Sequence, residues 1–201
     1  MTKLGIYGGT FSPPHNGHLK AAENFISQVG LDKLLIMPAN IPPHKERPDV
    51  SAEMRYEMAK LAFEGLERTE VSDFELTSPG KSYTVNTLEH FKGDDIKLYM
   101  LCGTDMFITL DSWYRSDRIC ELAVIVLAER EKGRQREIYN AKRRLRRKFN
   151  AEITVLKGEP LEISSTEIRE LNAGNKAISA FVPESVAEYI AFHGLYSENK
   201  K

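Results

Sequence analysis

The chain has 201 residues, a formal net charge of −1 at pH 7 and 41% hydrophobic residues, a composition typical of a globular protein with a sizeable core. The small net charge excludes a global attraction to nucleic acid or to a membrane surface. Cys102 and Cys120, the only cysteines, are too few for a disulfide framework, and they favour a reducing, cytoplasmic location. No segment has the length of a membrane span, and MTKLGIYGG at the start lacks the apolar core of a signal peptide.

Short apolar runs alternate with segments of helical periodicity along the chain. The apolar runs predict strands near 3–7, 33–38, 70–75, 96–102, 123–128 and 152–156. The periodic segments predict helices at roughly 17–28, 51–65, 84–92, 114–122, 134–148, 165–172 and 183–193. Because several of the strands are apolar throughout, we expect an α/β fold with a doubly wound parallel sheet, covered by helices on both faces.

Capping residues mark the ends of several predicted helices. Ser51 can cap the second helix, and Ser164 with Glu167 has the spacing of a capping box. Pro183 is expected to begin the last helix and Gly194 to end it. No repeat or linker interrupts the sequence, so we expect a single domain over 1–201, with the helical part at about 164–196 packed on the same core.

The densest charge run is KRRLRRK at 142–148. We interpret it as the solvent-exposed face of a helix whose apolar residues Ile138, Leu145 and Phe149 pack on the protein. The alternative interpretation is a surface that binds nucleic acid. The first interpretation is favoured, so no nucleic-acid partner is expected.

The stretch GGTFSPPHNGH, residues 8–18, directly follows the first apolar strand. In open α/β sheets, ligands bind at the carboxyl ends of strands, and glycines there allow close approach of a phosphate. The helix that follows offers N–H groups to an anion, and His15 and His18 can donate hydrogen bonds to the same phosphoryl oxygens. We therefore interpret the stretch as a phosphate-binding loop.

Two other interpretations of this stretch remain open, namely half a zinc site with His44 as a further ligand, and a purely structural loop. The absence of a nearby cysteine or carboxylate disfavours zinc, and no metal ligands are predicted. The pattern also lacks the ending of a Walker A loop and the Gly-x-Gly-x-x-Gly of a dinucleotide fingerprint. His90 and His193 lie in last helical turns and are interpreted as structural.

GGTFSPPHNGH resembles the signature of the nucleotidyltransferases that carry a His-x-Gly-His element, and ISSTEIR at 163–169 resembles their second element. With IPPHK (41–45), SYTVNTL (82–88) and GTDMFITLDSWYR (103–115), the chain resembles the bacterial nicotinate-nucleotide adenylyltransferases from residue 3 to about 196. The resemblance implies a Rossmann-like nucleotidyltransferase fold. It also implies an enzyme of NAD synthesis that joins nicotinic acid mononucleotide to ATP and releases pyrophosphate.

The resemblance assigns the phosphate chemistry to His15, His18 and Arg169, with Mg²⁺ bridging the oxygens of ATP. No general base is needed, because the attacking phosphate is mostly dianionic at pH 7. Asp105 is expected to hold ribose hydroxyls, with a helix cap as the alternative role. The expected ATP-binding residues are Gly8, Gly9, Thr10, Phe11, Gly103, Asp105, Ile163, Ser164, Ser165 and Thr166.

The acceptor side is implied by the same resemblance. Trp113, the only tryptophan, is expected at the end of a loop spanning 103–113, against the pyridinium ring. Backbone N–H groups at Tyr83 and Thr84 are expected to receive the nicotinate carboxylate. The expected mononucleotide-binding residues are His44, Lys45, Tyr83, Thr84, Trp113, Tyr114 and Arg130.

Ser12 and Asn86 stand where the family usually has Asp, which removes two carboxylates from the expected site. Acceptors other than nicotinic acid mononucleotide remain open, namely nicotinamide mononucleotide and phosphopantetheine, as does a nucleotide sensor without catalysis. A homo-oligomer is compatible with the sequence.

Overall fold

The computed structural model describes residues 1–43, 50–129, 133–158 and 163–197. Its strands form one six-stranded sheet in the order β3-β2-β1-β4-β5-β6, and all neighbouring strands are parallel. The strands are β1 (Thr2–Gly9), β2 (Lys33–Pro38), β3 (Thr69–Val71), β4 (Ile96–Gly103), β5 (Ala123–Ala128) and β6 (Ile153–Val155). The predicted α/β class with a parallel sheet is confirmed.

Helices cover both faces of this sheet. They are α1 (Asn16–Val29), α2 (Ala52–Phe63), α3 (Phe74–Thr77), α4 (Thr84–Phe91), α5 (Thr104–Thr109), α6 (Ser116–Leu122), α7 (Gln135–Phe149), α8 (Ser165–Ala173) and α9 (Glu184–His193). Among the residues that the structure describes, no helix has both the length and the apolar character that crossing a membrane requires.

Two buried clusters lie on opposite faces of the sheet, because successive side chains of a strand point to opposite sides. On β1, Tyr7 belongs to the cluster packed against α1, α2 and α9. Leu4 and Ile6 belong to the cluster on the other face, with α4, α5 and α7. The C-terminal helices therefore pack on the same sheet as the N-terminal half.

The predicted strand at 70–75 is wrong beyond Val71. Strand pairing ends where the Ser72 amide donates to the Ile36 carbonyl at 2.9 Å, and α3 begins at Phe74. The Phe74 ring stacks on His90 with centroids 4.1 Å apart. Val71 packs with the cluster on the α1 face, whereas Phe74 packs with the cluster on the other face and contacts α4, and this packing replaces the extension of the strand.

The predicted loop at 103–113 is also wrong, because it contains α5 followed by a 3-10 turn at Leu110–Ser112. Phe107 and Leu110, three residues apart, are both fully buried. Burial of these two side chains against the sheet holds the segment in helical form.

The predicted caps are mostly confirmed. Ser51 Oγ accepts the Met54 amide, and Ser164 Oγ accepts the Glu167 amide at 3.1 Å. Gly194 ends α9 in the left-handed conformation, whereas Pro183 is the cap before that helix and not its first residue.

The basic helix α7 buries Ile138, Ala141 and Leu145. Arg144 pairs with Asp111 at 3.2 Å, and its hydrogen bonds hold the pKa of that carboxyl below the usual value. The basic residues of its last turn lie at the negative end of the helix dipole, where cations are stabilising. These contacts support its interpretation as a solvated structural helix.

Candidate functional site

The phosphate-loop candidate runs from the end of β1 to the first turn of α1. His15 has extended backbone geometry and caps α1, which begins at Asn16. The His15 amide donates a hydrogen bond to Nδ1 of His18 at 3.2 Å. Because Nδ1 of His18 accepts this bond, the proton of the neutral ring lies on Nε2, which can then donate to a ligand.

Both imidazoles are held by packing. Their rings stack with centroids 3.7 Å apart, and the Phe11 ring meets His18 edge-on at 5.0 Å. His15 and His18 are nearly fully buried, an environment that strengthens hydrogen bonds to an anion. The structure therefore brings the two predicted phosphate ligands together as one closely packed unit.

The glycine pair before this unit has two different roles. A Cβ on Gly9 would lie 2.9 Å from the Phe11 ring, whereas a Cβ on Gly8 would meet no atom within 4 Å. Phe11 itself has a positive φ of 49° and is buried. Gly9 thus allows Phe11 to fold back onto the loop, and only Gly8 leaves open space for a ligand.

The second motif, at the start of α8, contacts the first motif directly. Ser165 Oγ donates to the Pro13 carbonyl at 2.9 Å, and Arg169 Nη1 donates to the Ser12 carbonyl at 2.8 Å. Arg169 Nη2 also donates to Thr166 Oγ1 at 3.2 Å. The Arg169 guanidinium is thereby fixed beside the phosphate loop.

Ser12, where the family usually has Asp, has a partner of its own. Its Oγ hydrogen-bonds to the Tyr196 hydroxyl at 3.0 Å. This contact joins the phosphate loop to the segment after α9, and a hydroxyl is sufficient to make it.

Arg55 is a component of the site that the sequence analysis missed. It is 1% exposed, and it donates to the carbonyls of Thr10 at 2.8 Å and Asn40 at 2.9 Å. Burial lowers the pKa of this guanidinium. Arg55 holds the loop after β1 against the loop after β2. The sequence did contain a signal for this role. Arg55 lies three and four residues before Met58 and Ala59, so helical periodicity puts its charge on the buried face of α2.

A first cleft of about 600 Å³ lies on the α1 face of the sheet. It is lined by Tyr7, His15, Gly17, Lys20, Ala21, Asn24, Leu101, Gly103, Ala128, Glu129, Leu156, Lys157, Gly158 and Ile163. Three residues of the predicted site, His15, Gly103 and Ile163, meet in it. Its floor is the carboxyl ends of β1, β4 and β5.

A second cavity lies on the other face, with about 310 Å³ of empty space that includes open solvent, and it is lined by Ile6, Gly8, Glu75, Thr84, Thr87, Met100, Leu101, Cys102, Met106 and Trp113. It brings together the predicted acceptor residues Thr84 and Trp113. Leu101 lines both spaces. Both clefts therefore lie against the carboxyl-terminal parts of β1 and β4, where the strand order reverses and ligands bind in open α/β sheets.

Glu75 is the second residue that the sequence analysis missed, because the segment was predicted as a strand. Its carboxylate accepts a hydrogen bond from Thr87 Oγ1 at 2.6 Å. Burial raises the pKa of Glu75, while hydrogen bonds from Thr87 and Ser82 act in the opposite direction.

The remaining described acceptor candidates, Tyr83 and Tyr114, are the sequence neighbours of Thr84 and Trp113, which line the second cavity. Tyr83 caps α4, and its ring lies 4.7 Å from that of Tyr114. Trp113 is partly buried, and its Nε1 donates to Thr109 Oγ1 at 3.4 Å. Asn86 is exposed on α4.

Asp105 occupies the first turn of α5, and Gly103, not Asp105, is the cap of that helix. The Asp105 carboxylate forms an ion pair with Arg134 and is 75% exposed. The structure thus makes Asp105 a link between α5 and the start of α7. Its expected role toward ribose stays a prediction.

Three predicted residues, His44, Lys45 and Arg130, lie outside the described residues. Within the described ranges, no three His, Cys, Asp or Glu side chains are grouped so that they could hold a metal ion.

Comparisons with known proteins show the family to which the chain belongs. A family model described as cytidylyltransferase-like matches residues 6–171. A protein of Clostridium botulinum (strain Alaska E43 / Type E3) named "probable nicotinate-nucleotide adenylyltransferase" is 38% identical, covering 98% of this chain and all of its own length. The chain belongs to the nicotinate-nucleotide adenylyltransferases, within the cytidylyltransferase-like family.

Other relatives support the same membership. A Clostridium tetani protein with the same name is 37% identical over 98% of this chain and its own full length. The structure of Plasmodium falciparum nicotinic acid mononucleotide adenylyltransferase complexed with NaAD superimposes with a TM-score of 0.78 at 16% identity, covering 98% of each chain. At this identity the likeness shows the fold, and it confirms the predicted nucleotidyltransferase fold of this adenylyltransferase-family chain.

The different surroundings of the two glycines give a test of the loop geometry. Gly9→Ala should lower the free energy of unfolding by about 1–3 kcal/mol, because the new methyl group displaces the buried Phe11 ring. Gly8→Ala is the matched control and should change it by less than about 0.5 kcal/mol. Urea unfolding measures both values, and equal losses would contradict the assigned roles.

Proposed function

We propose that this protein transfers the adenylyl group of ATP to nicotinic acid mononucleotide, giving nicotinic acid adenine dinucleotide and pyrophosphate. The observation that carries the proposal is the pair of clefts on opposite faces of the sheet at the carboxyl-terminal parts of β1 and β4, the first of which is lined by His15, whose ring stacks on that of His18. One cleft suits ATP, and the cavity with Trp113 suits a flat ring. In the proposal, a phosphate from each substrate meets at this end of the sheet.

The reaction needs positioning and charge stabilisation more than proton transfer. The mononucleotide phosphate has a second pKa of about 6, so at pH 7 it is mostly a dianion and is already nucleophilic. Attack of this oxygen on the α-phosphorus of ATP breaks the bond to the pyrophosphate, which leaves with its electron pair. No buried carboxylate or free imidazole has to act as a general base.

His18 is suited to the α-phosphate because its Nδ1 is occupied by the His15 amide. Its Nε2–H is then a donor of fixed orientation, needing no reorganisation as charge shifts on the phosphoryl oxygens. His15, stacked on His18 and lining the first cleft, is placed for the neighbouring phosphates.

Arg169 and the start of α8 are suited to the leaving pyrophosphate. The guanidinium is held beside the phosphate loop by the Ser12 carbonyl, and the first amides of α8 add donors for an anion. ATP enters as its magnesium complex, in which the ion is held by phosphate oxygens and water.

The acceptor contacts explain a preference for the acid over the amide. Trp113 can pack on the pyridinium ring, an interaction worth about 0.5–2 kcal/mol. The free backbone N–H groups at the start of α4 form the positive end of the helix dipole. A carboxylate substituent on the ring would be stabilised there more than a neutral amide. In this proposal, the phosphate of the acceptor is bound by the cations Lys45 and Arg130. His44, the residue before Lys45, contributes to the same phosphate site.

We place the reaction in the cytoplasm, since both cysteines are free thiols in buried positions, as expected in a reducing compartment.

The direct experiment is pyrophosphate release from magnesium-ATP with each mononucleotide in turn. Nicotinic acid mononucleotide should be used with a kcat/KM roughly 10–100-fold above that of nicotinamide mononucleotide, because an amide at the α4 start loses a charge-assisted hydrogen bond. Binding of ATP without turnover of either acceptor would identify a sensor and reject the proposal.

The role of His18 predicts a large kinetic effect. His18→Ala should lower kcat by ~10²–10³, the scale for loss of one charge-stabilising donor. His90→Ala is the control, because His90 packs on Phe74 at the far end of α4, and it should remain close to wild type. A folded His18→Ala enzyme with kcat within threefold of wild type would refute the assignment.

A further inference from the structure

The second cavity has an unusual charge composition. Among the described residues that line it, Glu75 is the only Asp, Glu, Lys, Arg or His. The other lining residues are glycine or have apolar, hydroxyl or thiol side chains. The thiol of Cys102 stays neutral, because burial raises its pKa to about 12. Among the described lining residues, a single carboxyl therefore determines the electrostatic character of this cavity.

The Glu75 carboxyl is buried without a cation beside it in the described part of the chain. The residue is 7% exposed, and none of the ion pairs between described residues includes it. Its protein partners are hydroxyl groups, chiefly Thr87 Oγ1 at 2.6 Å. An ionised carboxylate in such surroundings is costly unless a positive charge approaches it.

We propose that Glu75 is the counter-ion of the positively charged pyridinium ring of the acceptor, and thus a specificity-determining residue. The inference rests on the proposed function, since it takes the second cavity as the acceptor site. The ring nitrogen of the mononucleotide is quaternary and permanently charged, so it supplies a cation that the described residues lining the cavity do not. Trp113 on the same cavity offers its π-face to the same charge.

The raised pKa of Glu75 agrees with this role. Burial destabilises the ionised form in the empty cavity, and a bound cation would stabilise it again. The hydroxyl of Thr87 keeps the carboxylate in place but contributes no charge. Attraction between opposite charges in a site of low effective dielectric is large enough to select a charged ring over a neutral one.

The test compares two acceptors that differ in ring charge. One is nicotinic acid mononucleotide, and the other is its reduced 1,4-dihydropyridine form, which has the same carboxylate and phosphate but a neutral ring. Calorimetry gives the Kd of each, and the ratio of the two Kd values measures the preference for the charged ring. Glu75→Gln keeps the shape and an acceptor for Thr87, and it should reduce this preference roughly tenfold.

Thr87→Val is the matched control. It removes the hydrogen bond to Glu75 but retains the carboxyl, so both acceptors should weaken together and the preference should stay within about twofold of wild type. The KM for ATP should be unchanged in Glu75→Gln. If Glu75→Gln does not fold, Glu75→Asp is measured in its place. The aspartate side chain is shorter by one methylene, so its carboxylate lies farther from the ring, and the preference for the charged ring should fall at least threefold.

An unchanged preference in the folded Glu75 variant, with both acceptors weakened equally, overturns the inference and leaves Glu75 a structural residue. Failure of the proposed function is a separate result. Wild-type protein that binds the mononucleotide but releases no pyrophosphate refutes adenylyl transfer, while the Kd ratios still decide the role of Glu75. Absence of any binding of the mononucleotide overturns both.

Discussion

Because β1 lies between β2 and β4, the connections after these strands leave on opposite faces of the sheet, and a crevice opens at their carboxyl ends. The arrangement of the site depends on this reversal. Side chains of β1 alternate between the faces, so Tyr7 lines the first cleft while Ile6 and Gly8 line the second. Two substrates can thus approach one point from opposite sides, as transfer of a group between two nucleotides requires.

Backbone carbonyls hold the loops around that point. Arg55 joins the loop after β1 to the loop after β2, and Arg169 joins the same loop to α8. Each guanidinium forms charge-assisted hydrogen bonds, which are stronger than neutral ones. The loop bearing His15 and His18 is therefore set before any ligand binds, and a preorganised donor is what stabilisation of a phosphoryl transition state needs.

The parts of the fold with local chemical signals could be predicted from the sequence. The apolar strands and the helix caps at Ser51 and Ser164 are examples. The two nucleotidyltransferase motifs were assigned to one phosphate site by resemblance to the family. Helices α3 and α5 were missed because packing of Phe74 and burial of Phe107 against other elements hold them, and such short segments contain too few apolar positions to show a helical period. Arg55 and Glu75 were missed for a related reason, since the role of a buried charge depends on which distant carbonyls, hydroxyls or cavities surround it. His44, Lys45 and Arg130 remain predictions from the resemblance.

Nitrogen NMR of the imidazole side chains tests the central claim most directly, which is that the His15 amide orients His18 to donate through Nε2 to ATP. In the free protein, His18 should carry its proton on Nε2, with Nδ1 as acceptor. Addition of a non-hydrolysable ATP analogue with Mg²⁺ should shift the Nε2 signal of His18 and leave His90 unchanged. A proton on Nδ1 of His18, or a His18 signal that does not respond to saturating analogue, would contradict the account.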